Sequence, residues 1–194
     1  MILSNTEIFK ALDQGRVIID PEPSPRNGKD SPYSTTSVDL RLGSEIAWLK
    51  KDLAFTLSLE SGKFNTIYTE SNSERRNLSS REAFTMEPQQ FIIAQTLERI
   101  ELPIKRGGPW YAARVEGKSS LARCGVLVHF TAPTIHAGFA GNLTLEMINL
   151  NTKPITVKQG ERICQLIIEE VKGKPVLYRY SQFQKQTRPS GHSR

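Results

Sequence analysis

The sequence holds little of what builds metal centres or covalent cross-links. Its 194 residues include two cysteines, Cys124 and Cys164, and neither stands in a CxxC spacing. That excludes a disulfide framework and a zinc ribbon, so both thiols are expected to be reduced, small, buried apolar groups. The three histidines, His129, His136 and His192, form no HxxxH or HxE arrangement, and no protein-held metal is expected. No run approaches the roughly 18–20 apolar residues that cross a bilayer. The N-terminus also lacks a charged-then-apolar secretory leader, which predicts a cytoplasmic protein without membrane contact. Aromatic residues make up 8% of the chain and are not interleaved with basic ones. With no recognition-helix pattern either, this disfavours nucleic acid as a partner.

Acidic residues are absent from one region altogether. Between Lys172 and Arg194 stand Lys172, Lys174, Arg179, Lys185, Arg188 and Arg194 with no carboxylate among them. A net charge of +6 and a pI of 9.4 favour anionic partners such as nucleotides. We therefore expect one domain over residues 1–194 with a basic tail from about residue 172, in the size range that buries a full core.

Short apolar runs set the fold class. Ser4 followed by Glu7 is a capping box for a short helix ending near Gly15, with Ile8, Leu12 and Phe9 on its apolar side. The prolines Pro21, Pro23 and Pro25 predict a loop. Strands are expected at residues 17–19, 37–42, 84–88, 91–96, 110–115, 126–130, 142–149, 155–157 and 162–168, with a pair within 45–57 and a strand or connector at 98–103. In the strand at 37–42, Asp39 and Arg41 share one face, where a cross-strand ion pair is the simplest reading. Residues 60–81 are polar and aperiodic, an extended loop or hairpin. Many short strands with few short helices predict a mainly β distorted barrel or jelly roll.

Residues 116–149 concentrate polar and ionisable groups between apolar strands. Gly117-Lys118-Ser119-Ser120 sets two hydroxyls and an ammonium beside backbone N–H groups, a phosphate-binding composition. Ser119 to Arg123 is expected to be a short helix aiming its N–H groups at an anion. Period-two alternation puts Glu146 with Thr144 and Ile148, opposite Leu143, Leu145 and Met147. A carboxylate so placed faces solvent or lines a pocket.

Four blocks of this stretch agree in order and spacing with one family. Gly117-Lys118-Ser119-Ser120-Leu121-Ala122-Arg123, His129-Phe130-Thr131-Ala132, Ile135-His136-Ala137-Gly138-Phe139-Ala140-Gly141 and Thr144-Leu145-Glu146 resemble the dCTP deaminases of the dUTPase superfamily. So do Met1-Ile2-Leu3-Ser4, Ser37-Val38-Asp39-Leu40-Arg41-Leu42-Gly43 and Gly160-Glu161-Arg162-Ile163-Cys164-Gln165-Leu166. The resemblance implies a dUTPase-like fold and metal-free hydrolytic deamination of dCTP to dUTP and ammonia, supplying dUTP for dTTP synthesis. Glu146 would be the catalytic group.

In the same resemblance Lys118, Ser119 and Ser120 match phosphate-contacting positions, and Leu121 and Ala122 beside them are substrate-binding candidates. Arg123 matches the arginine that supports the glutamate and the phosphates. Ala132 lies where backbone groups read the pyrimidine edge, and Thr144 and Leu145 flank the glutamate. Gln165, Tyr178 and Gln186 match substrate-side positions, and Gln182 stands where a phosphate-binding lysine is common. The family also implies a homotrimer with sites between subunits, Mg²⁺ carried by the triphosphate, no zinc, and feedback inhibition by dTTP. His136 replaces an aspartate near the deoxyribose, which in dUTPases activates the water attacking the α-phosphate. A monofunctional deaminase is therefore the main expectation. The alternatives are a bifunctional dCTP deaminase and dUTP diphosphatase giving dUMP and pyrophosphate, and a non-catalytic nucleotide-sensing protein.

Overall fold

The computed structural model describes residues 1–53, 69 and 71–176. Ser4 caps α1 (Asn5–Asp13), its hydroxyl accepting from the Glu7 N–H at 3.4 Å, and Ile8 and Ala11 are buried on the inner face. The described residues form twelve strands: β1 (Ile18–Asp20), β2 (Val38–Arg41), β3 (Glu45–Leu49), β4 (Ser73–Asn77), β5 (Phe84–Met86), β6 (Phe91–Glu101), β7 (Trp110–Gly117), β8 (Val126–Leu127), β9 (Thr134–Ile135), β10 (Ala140–Asn149), β11 (Ile155–Val157) and β12 (Arg162–Val171). A second helix, α2 (Ser119–Arg123), separates β7 from β8.

Strands β4-β3-β6-β10-β8 form one sheet with β1 also on β6; β2-β12-β7-β9 form a second, and β11-β5 a small third. The inward residues of both larger sheets, among them Ile92, Leu145 and Met147 from the first and Leu40, Val115 and Leu166 from the second, belong to one core cluster. This is the mainly β architecture expected, two twisted sheets enclosing one core.

Three local expectations are corrected. The apolar run 126–130 is a strand only at Val126–Leu127, because the chain then leaves the first sheet to reach β9 on the second; Leu127 and Phe130 are exposed rather than buried. The described partner of β3 is β4, inside the polar 60–81 region, and the other residues of the expected 45–57 pair from 54 onward lie outside the described ones. β4 escaped the alternation rule since it is a charged edge strand with four of five residues exposed. Cys124 is exposed at the end of α2, while Cys164 is buried as expected. The ion pairing expected of Asp39 and Arg41 is present and runs to other elements: Asp39 meets Lys118 at the start of α2, and Arg41 meets Glu98 on β6.

Candidate active site

Alternation along β10 decides where its carboxylate goes. Leu143, Leu145 and Met147 enter the core, and Thr144, Glu146 and Ile148 form the half-buried outer row. Pairing with β6 sets Glu146 opposite Ile93, Ile148 opposite Phe91 and Thr144 opposite Gln95, while Leu127 of β8 stands across from Ile148. One carboxylate thus sits among aliphatic and aromatic neighbours. Withdrawing a charge from water disfavours it, so burial pushes the Glu146 carboxyl above its ordinary range; its own backbone N–H and positive charge on His129 pull it partly back.

His129 reaches this place through the loop that joins the two sheets. The chain crosses from β8 at the edge of the first sheet to β9 on β7 of the second. Its Nε2 lies 3.9 Å from Glu116 Oε2 on β7, and its buried Nδ1 has no hydrogen-bond partner among the described residues. The imidazole thus neighbours Glu116 of the second sheet and acts on Glu146 of the first through its electrostatic field.

A second cluster gathers at Asp39 on β2. Lys118 Nζ stands 2.5 Å from Asp39 Oδ2, Gln165 Nε2 donates to Oδ1 at 3.2 Å, and Arg162 Nη1 lies 3.8 Å from Oδ2. Lys118 and Gln165, distant in sequence, meet here because β12 pairs with both β2 and β7. Asp39, Arg41 and Arg162 also line a polar cleft of about 190 Å³ that does not include Glu146.

Lys118 begins α2 with an extended backbone and makes no side-chain cap. Five residues give little aligned dipole, so the end of α2 by itself offers only a weak attraction for an anion. Ser119, Ser120, Ala122 and Arg123 are exposed, and Leu121 packs against the core. Gly125 (φ +83°) closes the helix, and a Cβ there would stand 3.0 Å from the Asn151 nitrogen.

Ala132 and His136 are exposed on either side of β9. The side chain of Leu145 is fully buried, leaving only its backbone for any contact with a ligand. Among the described residues no ion pair joins Arg123 to Glu146. Tyr178, Gln182 and Gln186 lie outside the described residues.

Three residues around the site carried no role in the sequence reading. Glu98 is fully buried on β6 and binds Arg41 twice, accepting from the backbone N at 2.8 Å and from Nε at 2.6 Å. Thr96, also fully buried, holds Leu143. Alternation through Ile92, Ala94 and Ile100 places both at inward positions, the signal that singles out a buried carboxylate. His129 was part of a matching block, but only the loop crossing brings it to Glu146.

Known proteins resemble the chain over most of its length. A protein of Methanosphaera stadtmanae named "dCTP deaminase, dUMP-forming" is 35% identical over 168 residues, 87% of this chain and 78% of its own. One from Aquifex aeolicus with the same name is 36% identical, over 90% of this chain and 84% of its own. A "dCTP deaminase" of Natronomonas pharaonis is 34% identical, over 97% and 92%. The crystal structure of 2'-deoxycytidine 5'-triphosphate deaminase from Agrobacterium tumefaciens superposes with a TM-score of 0.58 at 22% identity. It shares the fold over 86% of this chain, which spans only 47% of that longer one. The family model described as dCTP deaminase-like matches residues 2–171, both sheets and every described cluster above, so the chain belongs to the dCTP deaminase-like family.

Proposed function

We propose that the protein deaminates dCTP and carries the product on to dUMP and pyrophosphate, in the cytoplasm. The observation that carries the first step is Glu146, a half-buried carboxyl held above its ordinary range in an apolar row. Such a group holds a proton more readily than a carboxyl in water. It takes a proton from water as the oxygen attacks C4 of cytosine and delivers it to N3; it then takes the remaining proton of the new C4 hydroxyl and passes it to the amino group, which leaves as ammonia as the C4 carbonyl forms. No metal enters these bond changes. Lys118, Ser119, Ser120 and Arg123 would hold the triphosphate, and Mg²⁺ would ride on its oxygens. Asp39, the carboxylate nearest Lys118, is already engaged by Lys118 and Gln165 and is a poor site for the ion.

The second step is favoured by the relatives whose names specify dUMP as product. It reverses the expectation from His136 alone. Release of dUTP is the second reading, supported by His136 standing where the water-activating aspartate is usual. Exposed Phe91, Leu127 and Phe130 beside Glu146, with Phe91 and Phe130 stacked edge to face at 5.6 Å, support a homotrimer whose subunits cover this row. A neighbouring subunit would then bring its own groups to Glu146, and dTTP would compete at the same site.

Product chromatography after incubation with dCTP and Mg²⁺, with Glu146→Ala in parallel, tests the reading. We expect ammonia, dUMP and pyrophosphate from the wild type and none from the variant. Accumulation of dUTP would establish the monofunctional reading, and binding without turnover would leave a nucleotide sensor.

A further inference from the structure

The ladder between β6 and β10 changes register just before Glu146. Ala140, Gly141 and Asn142 pair with Glu101, Ile100 and Arg99, but Thr144, Leu145 and Glu146 pair with Gln95, Ala94 and Ile93. Thr96, Leu97 and Glu98 therefore stand opposite Leu143 alone. The shift is by two residues, and an even shift keeps every side chain on its face. Core burial is thus indifferent to it. Without the bulge Glu146 would lie opposite Gln95, displaced along the strand by about 6.6 Å at roughly 3.3 Å per residue.

Specific hydrogen bonds must then choose the register, and two side chains supply them. The Thr96 hydroxyl accepts from the Leu143 N–H at 3.0 Å and donates to the Glu98 carbonyl at 2.7 Å. The Asn142 amide donates to the carbonyls of Thr96 at 3.0 Å and Leu97 at 3.3 Å. The same bulge holds the second sheet, because Glu98 binds Arg41, two residues from the Asp39 that engages Lys118.

We propose that Thr96 is a positioning residue for Glu146: its hydroxyl selects the bulged register of β6 and β10, with Asn142 as its clamp, and so sets the carboxylate relative to Lys118. The role rests on the deaminase reading. Valine matches threonine in shape but lacks the hydroxyl, leaving the Leu143 N–H without its acceptor. The core still closes, while the strand carrying Glu146 loses what fixes its height.

The test measures ammonia release from dCTP by the full chain and by Thr96→Val, Thr96→Ser and Asn142→Ala, with kcat and KM separated and folding checked by thermal melting. We expect kcat of the valine variant to fall about 100-fold with KM within about threefold, since a displacement of about 1 Å already costs that much. Serine, which keeps the hydroxyl, should restore kcat to within about threefold of wild type. Valine leaving kcat unchanged, or serine failing alongside valine, would overturn the role. Should the valine variant not fold, Asn142→Ala carries the same prediction at about tenfold in kcat, and an unchanged kcat there is equally fatal. A wild type that releases no ammonia removes the deaminase reading and the positioning role with it, an outcome visible before any variant is made.

Discussion

Arg41→Ala tests the joint between the two sheets. Glu98 is fully buried, and of the two donors that reach it one is the Arg41 backbone, which the substitution keeps, and one is the guanidinium, which it removes. A carboxylate left in the core with a single N–H partner is the costly half of a broken buried pair, worth about 3–5 kcal/mol. The guanidinium itself is 36% exposed, so solvent already screens part of the attraction. The lower end, about 3 kcal/mol, therefore applies. At about 2–4 °C per kcal/mol for a chain of this size, the melting temperature should fall by roughly 6–12 °C. Urea unfolding followed by circular dichroism gives the free energy directly. The double variant Arg41→Ala/Glu98→Ala should cost less than the sum of the two single changes, because it leaves no stranded charge. A loss below about 1 kcal/mol for Arg41→Ala would refute the reasoning: water would be reaching Glu98, and the pair would not be a buried joint.

Three other substitutions probe the remaining claims. Glu146→Gln should abolish deamination yet stabilise the fold near neutral pH. The folded-state pKa of Glu146 is raised, so the charged form costs stability; this penalty is absent below the ordinary value of 4.5 and grows as pH rises through the raised value. Melting curves should therefore show the variant ahead of wild type at neutral pH and level with it below about pH 4.5, and no difference at pH 7 would contradict the burial argument. Gly125→Ala forces a positive φ and a close approach to Asn151, and should cost about 1–2 kcal/mol in denaturant titration. Phe130→Asp should reduce the sedimenting mass to that of one chain; an unchanged mass would place the subunit contact elsewhere.

Strand positions were legible wherever one face was buried and the other was not. β10 announces itself by alternation, which places Glu146 on the outer row, whereas β6 is one strand over the stretch that reads in sequence as a strand at 91–96 and a strand or connector at 98–103. The composition of residues 117–123 likewise marked Lys118 and the serines as anion-binding candidates. Charged β4 carried no such signal, and the run 126–130 misled because hydrophobicity does not say which sheet a strand will leave. Alternation, the capping box and the turn residues act between near neighbours, so the sequence alone determined most of the elements, the β class and the family. Which carboxylates and cations meet, Asp39 with Lys118, Glu98 with Arg41 and His129 with Glu116, depends on crossings between strands far apart in the chain. The register at Thr96 is the sharpest instance. Hydrophobic period two cannot distinguish shifts of two residues, so only the buried hydroxyl and amide of the folded protein decide where Glu146 stands.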